Sequence, residues 1–308
     1  MTDVKSKYLG CMVGSALGDA IGELAFFHSK KEDLLAALKR LDELRYTDDT
    51  AMAIGLAESI VRKGRLEQED LGETFRKNFG TEPWRGYASG PPTVFSMVEE
   101  LGIAFTDAAQ MLFGGRGSFG NGAAMRVAPV GLFFHNSPDL YEMARSSAAV
   151  THAHPIGIDG AAVQAKAVAR AVELDSSESF SLEIFIASLY DFAKTVEMKD
   201  KILEVQKLLA TDASPPVAAR QLGSTVAVHE SLPFALFSFL RYPNSFEECL
   251  SCATLNGGDR DTLGAMACAI SGAYLGVQSI PQAWRDNLEN RSYIEDLALR
   301  TYECCRGS

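Results

Sequence analysis

Basic residues are scarce in this chain: 29 Lys and Arg stand against 40 Asp and Glu, for a net charge of −11. Sequence-independent binding to nucleic acid needs clustered cations to replace counterions, so the balance argues against it. It leaves room for a substrate carrying phosphates, because one local pocket can be positive inside an acidic protein. Long apolar runs are missing, and no apolar leader follows "MTDVKSKY", which argues against a membrane span and a secretory signal. The six cysteines, at 11, 249, 252, 268, 304 and 305, lack the paired spacings that frame a small secreted fold. Cys249 and Cys252 make a lone C-x-x-C, which is half of a zinc site and reads as structural thiols. A reduced, cytoplasmic compartment is expected. The chain also lacks the "GKS" or "GKT" of a phosphate-binding P-loop and any Ser, Cys and His arrangement with a nucleophile signature.

Strand-like alternation is nearly absent, whereas helical periodicity recurs in "AMAIGLAESIVRKG", "PDLYEMARSSAAV", "GIDGAAVQAKAVARAVEL", "SLEIFIASLYDFAKTV", "KDKILEVQKLLA" and "SFEECLSCATL". The expected fold is all-α. Several helical stretches are rich in Gly and Ala, among them "LGCMVGSALGDAIG" and "LGAMACAISGAYLG". Gly inside a helix costs about 1 kcal/mol relative to Ala, so its repetition points to helices whose axes approach closely. Breaks fall at 81–93, 113–122, 152–155 and 211–216. Only the last resembles a linker, and a single domain over 1–308 is the expectation.

Two stretches set carboxylates at helix entrances. "TDDT" offers Thr47, Asp48, Asp49 and Thr50 before an apolar run. "GGDRDT" offers Asp259, Asp261 and Thr262 after a glycine pair. Helix capping explains one such side chain at each place. It does not explain adjacent like charges, which a hard divalent cation would stabilise through oxygen ligands. All-oxygen donors point to Mg²⁺ or Mn²⁺ and away from zinc, and carboxylates from two boxes suit a two-metal site. A third stretch, "FGGRGSFGNGAAMR", matches G-x-G-x-x-G at Gly115, Gly117 and Gly120, but with no strand before it a dinucleotide fold is rejected. Its glycines leave backbone N–H groups able to approach phosphate oxygens. Ser118 and Asn121 add polar contacts, and Phe113 and Phe119 can stack on a base. In "THAHP", His152 and His154 stand just before a helix starting near Gly157.

Together these residues resemble the ADP-ribosylglycohydrolase family (ADP-ribosyl-acceptor hydrolases). The chain carries "GDAIG" at 18–22, "TDDT" at 47–50, "GRGSFGNGAAMR" at 115–126, "TH" at 151–152 and "GGDRDT" at 257–262, in the family's order and spacing. "RGYASGPPTVF" and "VHESLPFALFSFL" look most like the branch that cleaves O-linked ADP-ribose, from serine, poly(ADP-ribose) or O-acetyl-ADP-ribose. The alternatives are the arginine-linked branch and a non-catalytic ADP-ribose-binding or structural relative.

The resemblance implies an all-α, compact orthogonal helical bundle with a central dinuclear metal site, and a monomer. It implies two Mg²⁺ ions, with Mn²⁺ as the alternative, held by Thr47, Asp48, Asp49, Asp259, Asp261 and Thr262. Phe113, Gly115, Gly117, Ser118, Phe119, Gly120, Asn121 and His152 match positions that hold ADP-ribose, and an ADP-ribosylated protein or conjugate is the implied substrate. The chain departs from the family pattern at Phe26, where a metal-side Glu is common; Glu23 lies one turn earlier on the same helix face. Asp259 or Glu23 would take the proton from water, with Asp261 bridging the metals. Arg260, between the two aspartates, also departs from the usual small residue.

Overall fold

A computed structural model describes residues 3–178 and 180–307. Eighteen α-helices and one short 3₁₀ turn make up its regular structure, and no strand occurs among the described residues. Two isolated bridges, Leu44 with Leu288 and Gly120 with Ala227, are the only ladder-like pairings there.

The central element pair is the helix Val4–Ala25 against the helix Arg260–Leu275. Gly10, Gly14, Gly18 and Gly22 recur every fourth residue and so share one face. A Cβ on each would fall 2.1–2.6 Å from a backbone carbonyl oxygen, of Gly272, Cys268, Gly264 and Arg260 respectively. The pairing runs in opposite chain directions, and Gly264 and Gly272 return the contact from the other side. Backbone-on-backbone approach is therefore the physical cause of the repeated glycines. It sets Asp19 and Glu23, late in one helix, beside Asp261 and Thr262, early in the other.

The helix Asp48–Lys63 joins two apolar clusters. Ala51, Ile54 and Ala57 pack with Leu17, Phe237 and Leu297, whereas Met52, Leu56 and Ile60 belong with Phe75, Phe95 and Phe105. A helix held on both sides keeps its N-terminus fixed. Its other end closes on Gly64, whose φ of 67° lets its N–H reach the Ile60 carbonyl at 2.8 Å.

Two local expectations change. "SLEIFIASLYDFAKTV" is not one helix: Leu182–Phe192 ends and Val196–Ala210 begins after a break. The fully buried Asp159 carboxylate accepts the N–H groups of Lys194 and Thr195 and the Thr195 hydroxyl, which stabilises the break over continued helix. The segment 211–216 is a tight turn instead of a linker. Asp212 takes φ 51°, the Ala213 N–H reaches the Leu208 carbonyl at 3.0 Å, and a helix restarts at Pro215.

Candidate active site

Two helix N-termini carry the acidic boxes, yet the N-cap side chains, Thr47 and Asp259, make no capping hydrogen bond; in the second box Asp261 Oδ1 instead accepts the Thr262 N–H at 2.9 Å. The cap of the Asp48–Lys63 helix comes from elsewhere. Asp19, fully buried on the Val4–Ala25 helix, accepts the N–H groups of Thr47 and Thr50 at 3.0 Å each and their hydroxyls at 2.8 and 2.6 Å. With the Thr50 N–H taken by Asp19, neither carboxylate of "TDDT" is needed for that first-turn donor.

Asp48, Asp49, Asp259, Asp261 and Thr262 line a cavity of about 540 Å³. Thr47 stands behind them, its hydroxyl 3.3 Å from Asp49 Oδ2, and the Thr262 hydroxyl reaches the same oxygen at 3.3 Å. Asp49 Oδ1 is buried with no hydrogen-bond partner. Burial, then the charge of Asp19, pushes the Asp48 carboxyl up to about 7. Burial and the neighbouring Asp259 push Asp261 up to about 8. Asp49 is raised well above the ordinary range by burial, Asp19 and Asp261. Carboxylates crowded this way are costly to ionise together without a cation. Among the described residues no three His, Cys, Asp or Glu side chains close into one tight ligand cluster. The all-oxygen chemistry of the cavity-lining donors and the orphaned Asp49 Oδ1 fit a hard divalent cation.

The glycine stretch lines the same cavity. The helix Phe105–Gly115 kinks at Leu112, and Phe113 and Gly114 take φ 53° and 70°. Gly117, at φ 72°, lies against the next segment so closely that a Cβ would sit 2.6 Å from the His154 nitrogen. The loop uses much of its own hydrogen-bonding capacity: the N–H groups of Gly117, Gly120 and Asn121 go to Leu112 O, Ser118 Oγ and Val226 O. Those of Ser118 and Phe119 make no hydrogen bond among the described residues. Asn121 donates from Nδ2 to Asp259 Oδ2 at 2.7 Å, tying the loop to the second acidic box. The Phe119 ring lies edge-on to His154 and tilted to His229, at centroid distances of 5.3 and 5.8 Å.

The ADP-ribosylglycohydrolase family profile matches residues 1–308. The chain belongs to that family. ADP-ribosylglycohydrolases with curated names confirm the span. "ADP-ribosylhydrolase ARH3" of Xenopus tropicalis is 34% identical, over 98% of this chain and 96% of its own. The human protein of the same name is 31% identical, over 95% and 92%. An uncharacterized protein of Archaeoglobus fulgidus is 32% identical, over 97% of each. A solved structure titled "ADP-ribosylglycohydrolase-related protein complex" superposes with a TM-score of 0.70 at 24% identity, covering 99% of this chain and 100% of that one, which shows the fold alone. The all-α expectation agrees with it. By this membership the chain is a glycohydrolase enzyme.

Of the residues matched to family positions, Asp48, Asp49, Phe113, Gly117, Ser118, Phe119, Gly120, Asn121, His152, Asp259, Asp261 and Thr262 line the one cavity. Thr47, Gly115 and Glu23 do not. Glu23 is half-buried and close enough to Asp261 to oppose its ionisation. Arg260 faces away as well: it donates to the carbonyls of Ala25 and Thr254 and lies over the Phe26 ring, joining two helix C-termini. His154 caps the helix Pro155–Glu173, its Nδ1 accepting the Ile156 N–H at 3.2 Å. Sequence reasoning passed over Asp19, Arg126 and the cavity wall at Gly86, Ala88, Ser89, Gly90 and Pro91. The available signal for Asp19 was an acid inside an otherwise small and apolar helix, which needs buried partners.

Proposed function

We propose that the enzyme is a Mg²⁺-dependent hydrolase, with Mn²⁺ as the alternative ion, that cleaves O-linked ADP-ribose at C1″ of the distal ribose. The observation that carries this is a single cavity lined both by the oxygen donors of the two acidic boxes and by the glycine loop with Phe113 and Phe119. The branch reading is supported by the "RGYASGPPTVF" stretch, because its residues 86 and 88–91 face the same cavity as Asp48. The curated relatives named ADP-ribosylhydrolase support the substrate class.

Thr47, Asp48, Asp49, Asp259, Asp261 and Thr262 would hold the cations, which supply Lewis acidity toward ribose hydroxyls and water when bound. Asn121 fixes Asp259 through Oδ2, leaving Oδ1 to accept a proton from the attacking water. Attack at C1″ accompanies departure of the linked oxygen, with oxocarbenium-like character on the sugar. Phe113 and Phe119 flank the ligand with aromatic surface, and the Ser118 and Phe119 N–H groups meet the phosphates. The chain acts as a monomer on an ADP-ribosylated protein or conjugate in the cytoplasm.

The deciding experiment measures ADP-ribose release from serine-linked peptide, arginine-linked peptide and O-acetyl-ADP-ribose, each with Mg²⁺ and with chelator. Release from the O-linked substrates only with Mg²⁺ is expected. Preferential release from arginine-linked peptide would reassign the branch, and chelator-resistant release would remove the metal from the mechanism.

A further inference from the structure

Arg126 is the largest fully buried side chain, and it has no carboxylate within ion-pairing distance among the described residues. Its guanidinium lies over the Phe75 ring at 4.6 Å, and its Nη2 donates to the Ser147 carbonyl at 3.2 Å and to Thr151 Oγ1 at 2.8 Å. The fully buried Thr151 hydroxyl stands 2.8 Å from His152 Nδ1.

A guanidinium only donates, so Thr151 Oγ1 accepts from Arg126. The hydroxyl has one hydrogen of its own to place, and among the described residues its only acceptor is His152 Nδ1. A neutral imidazole accepts at one nitrogen and donates at the other. Nδ1 therefore accepts, and Nε2 carries the hydrogen. The Nε2 edge looks into the cavity at the glycine loop: a Cβ on Gly122 or Gly120 would sit 3.1 or 3.5 Å from it.

We infer that Arg126 and Thr151 are positioning residues that lock His152 as a neutral Nε2–H donor aimed at an anionic oxygen of the ligand. The chain of donors runs one way, from a permanent cation through a hydroxyl to the ring. Burial, and after it the same cation, disfavours an imidazolium, so the site offers one directed hydrogen bond in place of a charged ring. The ligand half of this inference rests on the proposed ADP-ribose site; the tautomer half does not.

The test separates the two. Nitrogen NMR of His152 in the ligand-free wild-type enzyme at pH 7 is expected to show a protonated Nε2 and a bare Nδ1. Thr151→Val removes the relay and should yield mixed tautomers. It should also weaken ADP-ribose binding, read by calorimetry, roughly tenfold, the scale of one hydrogen bond to a charged group. Thr151→Ser should restore both. A wild-type ring protonated at Nδ1 overturns the inference, as does a Thr151→Val ring still wholly Nε2–H with unchanged affinity. If Thr151→Val does not fold, the wild-type tautomer and the Thr151→Ser affinity decide. A wild-type Nε2–H ring in an enzyme with no affinity for ADP-ribose would leave the relay standing and overturn the proposed function.

Discussion

Asp19 Oδ2 and the Thr50 hydroxyl lie 2.6 Å apart, joining the first long helix to the start of another 31 residues later. Because the same carboxylate also takes the Thr50 and Thr47 N–H groups, it fixes the backbone on which Asp48 and Asp49 stand. Asp19→Asn keeps the shape but replaces an all-acceptor group with one whose NH₂ must face donors. A loss of roughly 2 kcal/mol in chemical denaturation is expected, the scale of hydrogen bonds to a buried charge. Mg²⁺ should then give a smaller thermal shift than in the wild type. Unchanged stability would mean that the acidic box holds itself in place.

Gly18 and Gly264 cross closely between the central helices, a Cβ on either falling 2.1 Å from the other's carbonyl oxygen. Gly18→Ala should destabilise by about 3 kcal/mol through overpacking and reduce turnover by shifting Asp261. Gly80→Ala is the control. It lies in the helix Gln68–Thr81 with nothing within 4 Å of its added Cβ, so stability should stay level or rise by under about 1 kcal/mol. Equal effects of the two substitutions would show that helix propensity, not close approach, explains the glycines.

The helical class and the acidic boxes were legible because both depend on local pattern: periodic apolar residues, and like charges too close together for capping to explain. Gly10, Gly14, Gly18 and Gly22 likewise announced close packing, though not which helix they meet. Asp19 and Arg126 were not legible as organisers, since their hydrogen-bond partners lie 21 or more residues away and depend on the crossing of helices. The role of Arg260 was open for the same reason. Only the fold shows that its carbonyl partners lie on the helix side, away from the cavity.

Burial, with a smaller contribution from the Arg126 charge, lowers the His152 pKa from 6.5 to about 3. The unfolded chain therefore binds one more proton than the folded chain between those values, so this contribution to stability is complete above pH 6.5 and declines as pH falls toward 3. His152→Gln cannot titrate. The melting-temperature advantage of wild type over His152→Gln should shrink steadily from pH 7.5 to pH 5. A constant difference would place the imidazole in contact with solvent.

Phe113 is exposed to 61% and takes φ 53° at the cavity rim, a conformation unusual for a side chain of its size. Backbone strain at such a place is held by its surroundings and is often tied to ligand contact. Phe113→Ala should weaken ADP-ribose binding about tenfold, within the range of aromatic contact energies. Stability should change by no more than about 0.5 kcal/mol, as for surface sites. Large destabilisation with unchanged affinity would make the ring a structural plug.

Asp259 and Glu23 are the two carboxylates able to serve as base, and their positions differ. Asp259 lines the cavity with Oδ2 held by Asn121, whereas Glu23 is half-buried and does not line it. A base must lie within hydrogen-bond reach of the proton it takes, directly or through one water. Asp259→Asn should therefore lower turnover by about 10²- to 10⁴-fold. That substitution also alters a proposed metal ligand, so turnover is to be compared at saturating Mg²⁺. Glu23→Gln should cost less than about tenfold there and leave ADP-ribose affinity intact, because it removes a neighbouring charge but no cavity contact. A Glu23→Gln enzyme as impaired as Asp259→Asn at saturating Mg²⁺, with normal ADP-ribose affinity, would transfer the base role to Glu23. The helix segment at 23–26 would then have to bring that carboxylate into the cavity when substrate binds.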